Sequence, residues 1–220
     1  KVKDRINEEI DKIIDKAMKR ADEILKGAQA NGVRVMIVAG YNIQRTPLVE
    51  TDNLGPQSAY GKTKLEGEKF IQENTDKYFI LRTAWLYGLH GNNFVKTMLD
   101  LAETHDEITV VNDQIGSPTY SLDLAVAITN LLHSDKYGIY HVTNEGECSW
   151  YEFAKLIFEL SDVDVNVIPV STEEFPRPAP RPHYSVLNKN KIIYIGFNLG
   201  INSLSYDYTH YFKEVANCRN

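Results

Sequence analysis

Residues 58–88 read SAYGKTKLEGEKFIQENTDKYFILRTAWLYG, a helical pattern followed directly by an apolar run. The pattern predicts a helix over 57–75 and a buried strand over 78–88, because aromatic and aliphatic residues dominate the second part. The same alternation recurs along the chain. Further strands are predicted at 33–39, 108–111, 138–143 and 165–170, and further helices at 92–106, 118–134 and 149–161. Strands that alternate with helices predict an α/β fold with a largely parallel sheet.

The two ends of the chain differ from this central pattern. Residues 4–26 carry isoleucines at helical spacing between charges, which predicts an amphipathic helix docked on the sheet, or alternatively a surface for a partner chain. Residues 176–185, PRPAPRPHYS, predict a loop, and 205–216 a closing helix. We therefore divide the chain into an N-terminal helix (1–30), a partial Rossmann-like core (31–143) and a small C-terminal lobe (144–220).

Composition narrows the class of protein. The 220 residues have 43% hydrophobic and 25% charged side chains, as expected of a globular protein, and a net charge of −6, which argues against a nucleic-acid partner. Cys148 and Cys218 form no CxxC, and the six histidines show no ligand spacing, so no metal is expected. No apolar run is long enough to cross a membrane and no signal peptide is evident, so a cytoplasmic location is expected.

Tyr60 and Lys64 are the first candidates for chemistry. Their spacing places a phenol and an ammonium one turn apart on one helix face. An ordinary phenol has a pKa near 10, and an adjacent ammonium favours the phenolate by charge attraction, so such a pair can donate a proton to a carbonyl. The spacing alone is weak evidence, because Tyr151 and Lys155 repeat it at the start of an amphipathic helix, where we expect a structural role.

Several motifs in order make the neighbourhood of Tyr60 more specific. VETDNLGPQSAYGKTKLEGEKFI, LRTAWLYG, GNNFVKTML, VVNDQIGSPTYSLDLA and RPAPRPHYSVLNKNKI resemble the dTDP-4-dehydrorhamnose reductase family of extended short-chain dehydrogenases/reductases. The resemblance runs from about residue 21 to about 195. It implies reduction of a 4-keto-6-deoxysugar nucleotide by NADPH or NADH, with dTDP-L-rhamnose as the family's product. Tyr60 would be the proton donor, and Lys64 would hold the nicotinamide ribose and acidify the tyrosine.

The resemblance also implies a substrate pocket. Trp85 matches a tryptophan that lines the sugar site, where an aromatic face suits the apolar side of a deoxysugar. Arg177 and Arg181 lie in the segment that closes over the nucleotide, and arginine binds phosphate bidentately. The weaker candidates for the same pocket are Asn93, Phe94, Lys96 and Thr119. Core or surface roles remain the alternative for Trp85 and for the arginines.

Two departures from the family leave alternatives open. No G-x-G-x-x-G or G-x-x-G-x-x-G occurs, although a dinucleotide site needs such a turn for its pyrophosphate. The family's Ser or Thr after the first strand is replaced by Ala39-Gly40, neither of which has a donor side chain. The alternatives to an active reductase are therefore a sugar-nucleotide-binding module that lost the dinucleotide half, or a subunit that docks through 4–26, including as a homodimer.

Overall fold

The computed structural model describes residues 34–38, 46–56, 59–89, 91–176 and 181–196. The predicted helices at 4–26 and 205–216 lie outside these ranges. No helix within them is long and apolar enough to cross a membrane.

A three-stranded parallel sheet holds the first half of the described chain together. Strands β1 (Arg34–Val38), β2 (Tyr78–Arg82) and β7 (Gly138–His141) lie in the order β1-β2-β7. Val38 lies opposite Arg82, which lies opposite His141, so the three strands end level at one edge. Helix α1 (Ala59–Asn74) lies between β1 and β2 in sequence and packs on both. Because a helix between parallel strands runs back along the sheet, its N-terminus lies at the carboxyl edge.

The first hydrophobic core lies between two strands, β2 and β7, and two helices that pack against them. These helices are α3 (Ser121–Leu132) and α5 (Asn190–Tyr194). Helix α3 carries apolar residues at the i, i+3, i+4, i+7 positions that cover one helix face, as its sequence pattern predicts. The buried members of this core are Phe79, Leu81, Leu124, Ala127, Ile128, Leu131, Tyr140, Val142 and Ile192.

A second core forms around another pair of parallel strands. Strand β4 (Glu107–Val111) pairs with β9 (Asn166–Val170), and helices α2 (Phe94–Ala102) and α4 (Trp150–Leu160) pack beside them. Ser149 caps α4 in a capping box with Glu152. Both β4 and α2 precede the predicted boundary at 143/144 and pack with elements that follow it, and the domain bounds stay a prediction.

The predicted strand over 78–88 is wrong beyond Arg82. Trp85 has a φ of 49°, a left-handed conformation that no strand can continue. The chain resumes as β3 (Leu86–Tyr87), which pairs in parallel with β6 (Thr119–Tyr120). Helix α3 consequently begins after β6 and not at residue 118 as predicted.

Short contacts join distant segments around these elements. β5 (Ile115–Gly116) pairs antiparallel with β8 (Cys148–Ser149), a pair that the sequence pattern did not predict. Residue 48 bridges to residue 187, and residue 115 to residue 184. Residues 184 and 187 are therefore bridged to both halves of the described chain.

Candidate active site

Tyr60 lies in the first turn of α1, at the carboxyl edge of the three-stranded sheet. Its side chain is 56% exposed, and Lys64 Nζ lies 5.4 Å from the centre of the phenol ring. The hydroxyl of Thr63 donates to the Tyr60 carbonyl at 2.9 Å, which secures the first turn of the helix. The pair therefore presents a reachable phenol beside a cation, at the edge where open parallel sheets bind ligands.

A buried ion pair holds α1 in place. Arg82, the last residue of β2, donates from Nε and Nη2 to the two carboxylate oxygens of Glu68 at 3.0 and 2.6 Å. The two side chains are 4% and 1% exposed. Glu68 follows Lys64 by one turn and Tyr60 by two, so all three lie on one face of α1. The ion pair thus fixes the rotation of the helix that carries the Tyr-Lys pair.

The second Tyr-Lys pair has nearly the same local geometry. Lys155 Nζ lies 5.6 Å from the ring of Tyr151, but Tyr151 is partly buried against the second core on α4. Local spacing therefore does not distinguish the two pairs. Only Tyr60, of these two tyrosines, lies at the carboxyl edge of the three-stranded sheet.

A cleft of about 450 Å³ opens between α2, β4, the start of α4, Phe175 and Arg181. Its walls are mainly apolar, and a few polar side chains join them. Its lining residues include Phe94, Met98, Gln114, Trp150, Phe175 and Arg181. Aromatic walls with an arginine and an amide are what a nucleoside diphosphate needs, since the base can stack while the phosphates meet a cation.

Two of the predicted pocket residues line this cleft. Phe94, the first residue of α2, contacts Trp150 with a centroid distance of 4.4 Å, and exposed Arg181 lies at the cleft wall. Trp85 is partly buried and stacks on Trp150 at 3.6 Å, with an angle of 11° between the rings. The aromatic side chains thus form a continuous row from Trp85 to the cleft.

The remaining predicted residues have structural contacts or lie outside the described ranges. Asn93 caps α2, where its Oδ1 accepts from the backbone of Lys96 and its Nδ2 donates to the Gly88 carbonyl. Lys96 is half-buried on the first turn of α2. Thr119 is 1% exposed and donates its hydroxyl to the Ala84 carbonyl. Arg177 and Ala39-Gly40 lie outside the described residues, and every one of these site assignments stays a prediction.

Hydrogen bonds between Asp113 and Thr172 join the two stretches of chain that carry the cleft residues Gln114 and Phe175. Asp113 accepts hydrogen bonds from the backbone and the hydroxyl of Thr172, at 3.0 and 2.7 Å. Burial acts to raise the pKa of Asp113, but these hydrogen bonds and the nearby His183 hold it below its usual value. Asp113, Glu173 and His183 bring three possible ligand atoms within 4.8 Å of one another. The expectation of no metal stays a prediction.

Sequence reasoning missed several residues of the cleft. The sequence pattern places Trp150 in a helix and assigns no site role to Gln114, Met98 or Phe175. Their positions depend on how α2, β4 and α4 pack together, which no local pattern contains. The aromatic residues at the first positions of both α2 and α4 are the one signal that could have indicated a shared wall.

Fold and site together define a Rossmann-like α/β protein of the short-chain dehydrogenase/reductase type. The family model "RmlD substrate binding domain" matches residues 23–215. The chain belongs to this family, and the resemblance to dTDP-4-dehydrorhamnose reductases is confirmed.

Individual relatives agree with this assignment. The spore coat polysaccharide biosynthesis protein SpsK of Bacillus subtilis is 52% identical over 146 residues, which are 66% of this chain and 51% of SpsK. The crystal structure of a Clostridium acetobutylicum dTDP-4-dehydrorhamnose reductase matches with a TM-score of 0.76 and 44% identity, over 87% of this chain and 68% of that one. The Bacillus anthracis reductase in complex with NADP matches with a TM-score of 0.74 and 45% identity, over 84% and 63%. The chain spans about half the length of SpsK.

Proposed function

We propose that this chain forms the catalytic and sugar-nucleotide-binding part of a reductase that acts on a dTDP-4-keto-6-deoxysugar, with NADPH or NADH as the reductant. The product would be dTDP-L-rhamnose or a closely related deoxysugar nucleotide. The observation that carries the proposal is the exposed Tyr60 beside Lys64 at the N-terminus of α1, on the edge where parallel sheets bind nucleotides.

In this proposal Tyr60 donates its phenolic proton to the C4 oxygen while carbon C4 is reduced. Lys64 stabilises the phenolate that remains, because its ammonium lies near the ring, and it also holds the nicotinamide ribose. A nicotinamide bound beside these residues would supply the hydride. The buried Glu68–Arg82 pair keeps both side chains at the sheet edge.

The residues present fit one end of such a cofactor. Tyr60 is exposed enough to meet a ribose and a carbonyl, and Lys64 supplies a donor beside it. The pyrophosphate needs a glycine-rich turn, and none occurs in the 220 residues. The proposal therefore assigns no residue of this chain to the pyrophosphate.

The cleft supports the sugar-nucleotide half of the proposal. Trp150 and Phe94 can stack against a thymine, and Arg181 can meet the phosphates. Replacement of Arg181 by Met should weaken dTDP binding by about 10- to 100-fold, which is the effect of losing a charge-assisted hydrogen bond. Titration calorimetry measures it, and Arg181→Lys should retain part of the affinity.

A second candidate is sugar-nucleotide binding without turnover. The observation that favours it is that the chain forms the apolar cleft with its arginine, whereas its sequence contains no glycine-rich turn for a dinucleotide. Thermal shift separates the candidates, because a ligand that binds only the folded state raises its stability. A shift with both dTDP and NADPH supports the reductase, and a shift with dTDP alone supports the binding protein. No shift with either would refute both and leave the role of a partner subunit.

Turnover is tested by following NADPH consumption with a dTDP-4-keto-6-deoxysugar. Tyr60→Phe should lower the rate by at least about 100-fold, because it removes the proton donor and keeps the ring. Tyr151→Phe is the matched control, since it makes the same change in the second Tyr-Lys pair and should leave the rate unchanged. Equal effects of the two substitutions would sink the catalytic assignment of Tyr60.

A further inference from the structure

Trp85 has a strained backbone that neighbouring residues hold in place. Its φ of 49° is a left-handed conformation, which is costly for a bulky side chain. The amide of Thr119 donates to the Trp85 carbonyl at 3.1 Å, and the Thr119 hydroxyl donates to the Ala84 carbonyl at 2.8 Å. Strand β6 therefore fixes the turn between β2 and β3. A strained residue that is held this firmly suggests that the direction of its side chain matters.

The indole of Trp85 is also confined by its neighbours. It stacks on Trp150 at 3.6 Å, with the two rings 11° from parallel. On β5, a Cβ at Gly116 would clash with Trp85 Cε2 and would lie 2.7 Å from both Trp85 Cζ2 and Ser185 Oγ, far closer than atoms can approach. The indole thus occupies the space that any side chain at 116 would need. Gly116 is required here for close packing, not for its backbone angles.

Trp150 connects this arrangement to the cleft. The same indole that stacks on Trp85 lines the cleft beside Phe94. Trp85 itself remains partly exposed, so the surface that it presents depends on where Trp150 and the β5 backbone hold it. One aromatic side chain therefore forms a wall of the nucleotide cleft and also supports the tryptophan predicted to meet the sugar.

We propose that Gly116 and Trp150 are positioning residues that hold Trp85 in the orientation that selects the apolar face of a 6-deoxysugar. They act through Trp85 and do not themselves touch the reacting atoms. This inference rests on the proposed function, because it takes the sugar nucleotide as the ligand. It assigns the sugar preference to the packing between β5 and Trp85 as well as to Trp85 itself.

A double-mutant cycle on the full chain tests the proposal, with dTDP and dTDP-L-rhamnose as probes in titration calorimetry. Gly116→Ala should weaken dTDP-L-rhamnose by about tenfold, the value of one aromatic contact, and change dTDP binding by less than about threefold. Leucine at 85 has neither clashing ring atom, whereas Ser185 Oγ is the same in both backgrounds, so Gly116→Ala should weaken dTDP-L-rhamnose binding far less in a Trp85→Leu background. An equal loss for both ligands, or the same loss in both backgrounds, would overturn the proposal.

A second measurement needs no ligand. Trp85 and Trp150 are the two tryptophans of the chain, so an exciton couplet from stacked indoles in circular dichroism reports this contact alone. Gly116→Ala should reduce the couplet while the cooperative unfolding transition persists, and Trp150→Phe should abolish it. An unchanged couplet in Gly116→Ala would refute the positioning. Failure of the wild-type chain to bind either probe would refute the proposed function, and with it the sugar preference.

Discussion

Removal of one member of the Glu68–Arg82 pair should be among the most damaging single changes to this protein. Glu68→Gln keeps the size of the side chain but leaves the Arg82 guanidinium buried without a counter-charge, at 4% exposure. Arg82 would retain the hydrogen bond from Nη1 to the Glu50 carbonyl at 3.1 Å and one bond to the amide oxygen of the introduced glutamine, and neither acceptor carries a full charge. A buried charge that loses its partner costs about 3–5 kcal/mol of folding free energy.

Urea unfolding followed by circular dichroism measures this cost as a shift of the urea concentration at the unfolding midpoint, with an unchanged m-value. The exposed pair Lys69–Glu66 on the same helix gives a matched control. Its side chains are 53% and 69% exposed, so Glu66→Gln should leave the midpoint within experimental error. The contrast between the two Glu→Gln changes isolates burial, because helix, residue type and substitution are the same.

The double variant Glu68→Leu/Arg82→Met decides whether the cost arises from the unpaired charge. An apolar pair of similar size needs no counter-charge, so the double variant should lose less folding stability than either single variant. Its expected loss is about 1–2 kcal/mol, which comes from the missing hydrogen bond to Glu50 and from imperfect packing. Additive losses in the double variant would refute the reasoning, and so would a loss below about 1 kcal/mol in Glu68→Gln. The double variant should also lower turnover more than stability explains, because α1 carries Tyr60 and Lys64.

Two further predictions follow from groups whose pKa is shifted by burial. Burial, with Arg82 as a further cause, lowers the pKa of His141 from 6.5 although Glu50 opposes the shift, so only the unfolded chain takes up a proton just below pH 6.5. The free energy of unfolding should therefore decrease as the pH is lowered from about 7.5 to about 5.5, and urea midpoints measure this dependence. His141→Asn should make the urea midpoint less dependent on pH. An unchanged pH dependence in this variant would contradict the prediction. Burial, together with Glu152 and Glu147, raises the pKa of Cys148 to about 12. Iodoacetamide near pH 8 should therefore alkylate this thiol at least about 100-fold more slowly in the folded chain than in urea, and peptide mapping measures the two rates. Equal rates would contradict the prediction.

The fold was predictable where a pattern is local and repeats. Helix α3 and strand β4 lie within a few residues of their predicted bounds because hydrophobic periodicity determines both. The break at Trp85 was not predictable, because FILRTAWLYG has the composition of one continuous strand. What stops the strand is a contact with Thr119, 34 residues later, which stabilises a left-handed backbone that tryptophan rarely adopts.

In the candidate site, too, residues within local motifs were predictable and residues whose role depends on distant contacts were not. Tyr60, Lys64 and Trp85 came from ordered motifs in which neighbouring residues supply the context. Trp150 and Gly116 did not, because their importance arises from a stack and from a missing Cβ between elements distant in sequence. Asn93 illustrates the opposite case. It was a candidate for ligand binding, yet its amide is engaged by the backbone of α2 and by the Gly88 carbonyl.

The two Tyr-x-x-x-Lys pairs show why spacing alone cannot assign chemistry. Their lysines lie 5.4 and 5.6 Å from the phenol rings, so a search by local geometry would return both. They differ in what surrounds the helix. Tyr60 is 56% exposed at the edge of a parallel sheet, on a helix fixed by a buried ion pair, whereas Tyr151 packs against a hydrophobic core. A proton donor must reach a substrate and must also be held still, and only the first pair meets both conditions.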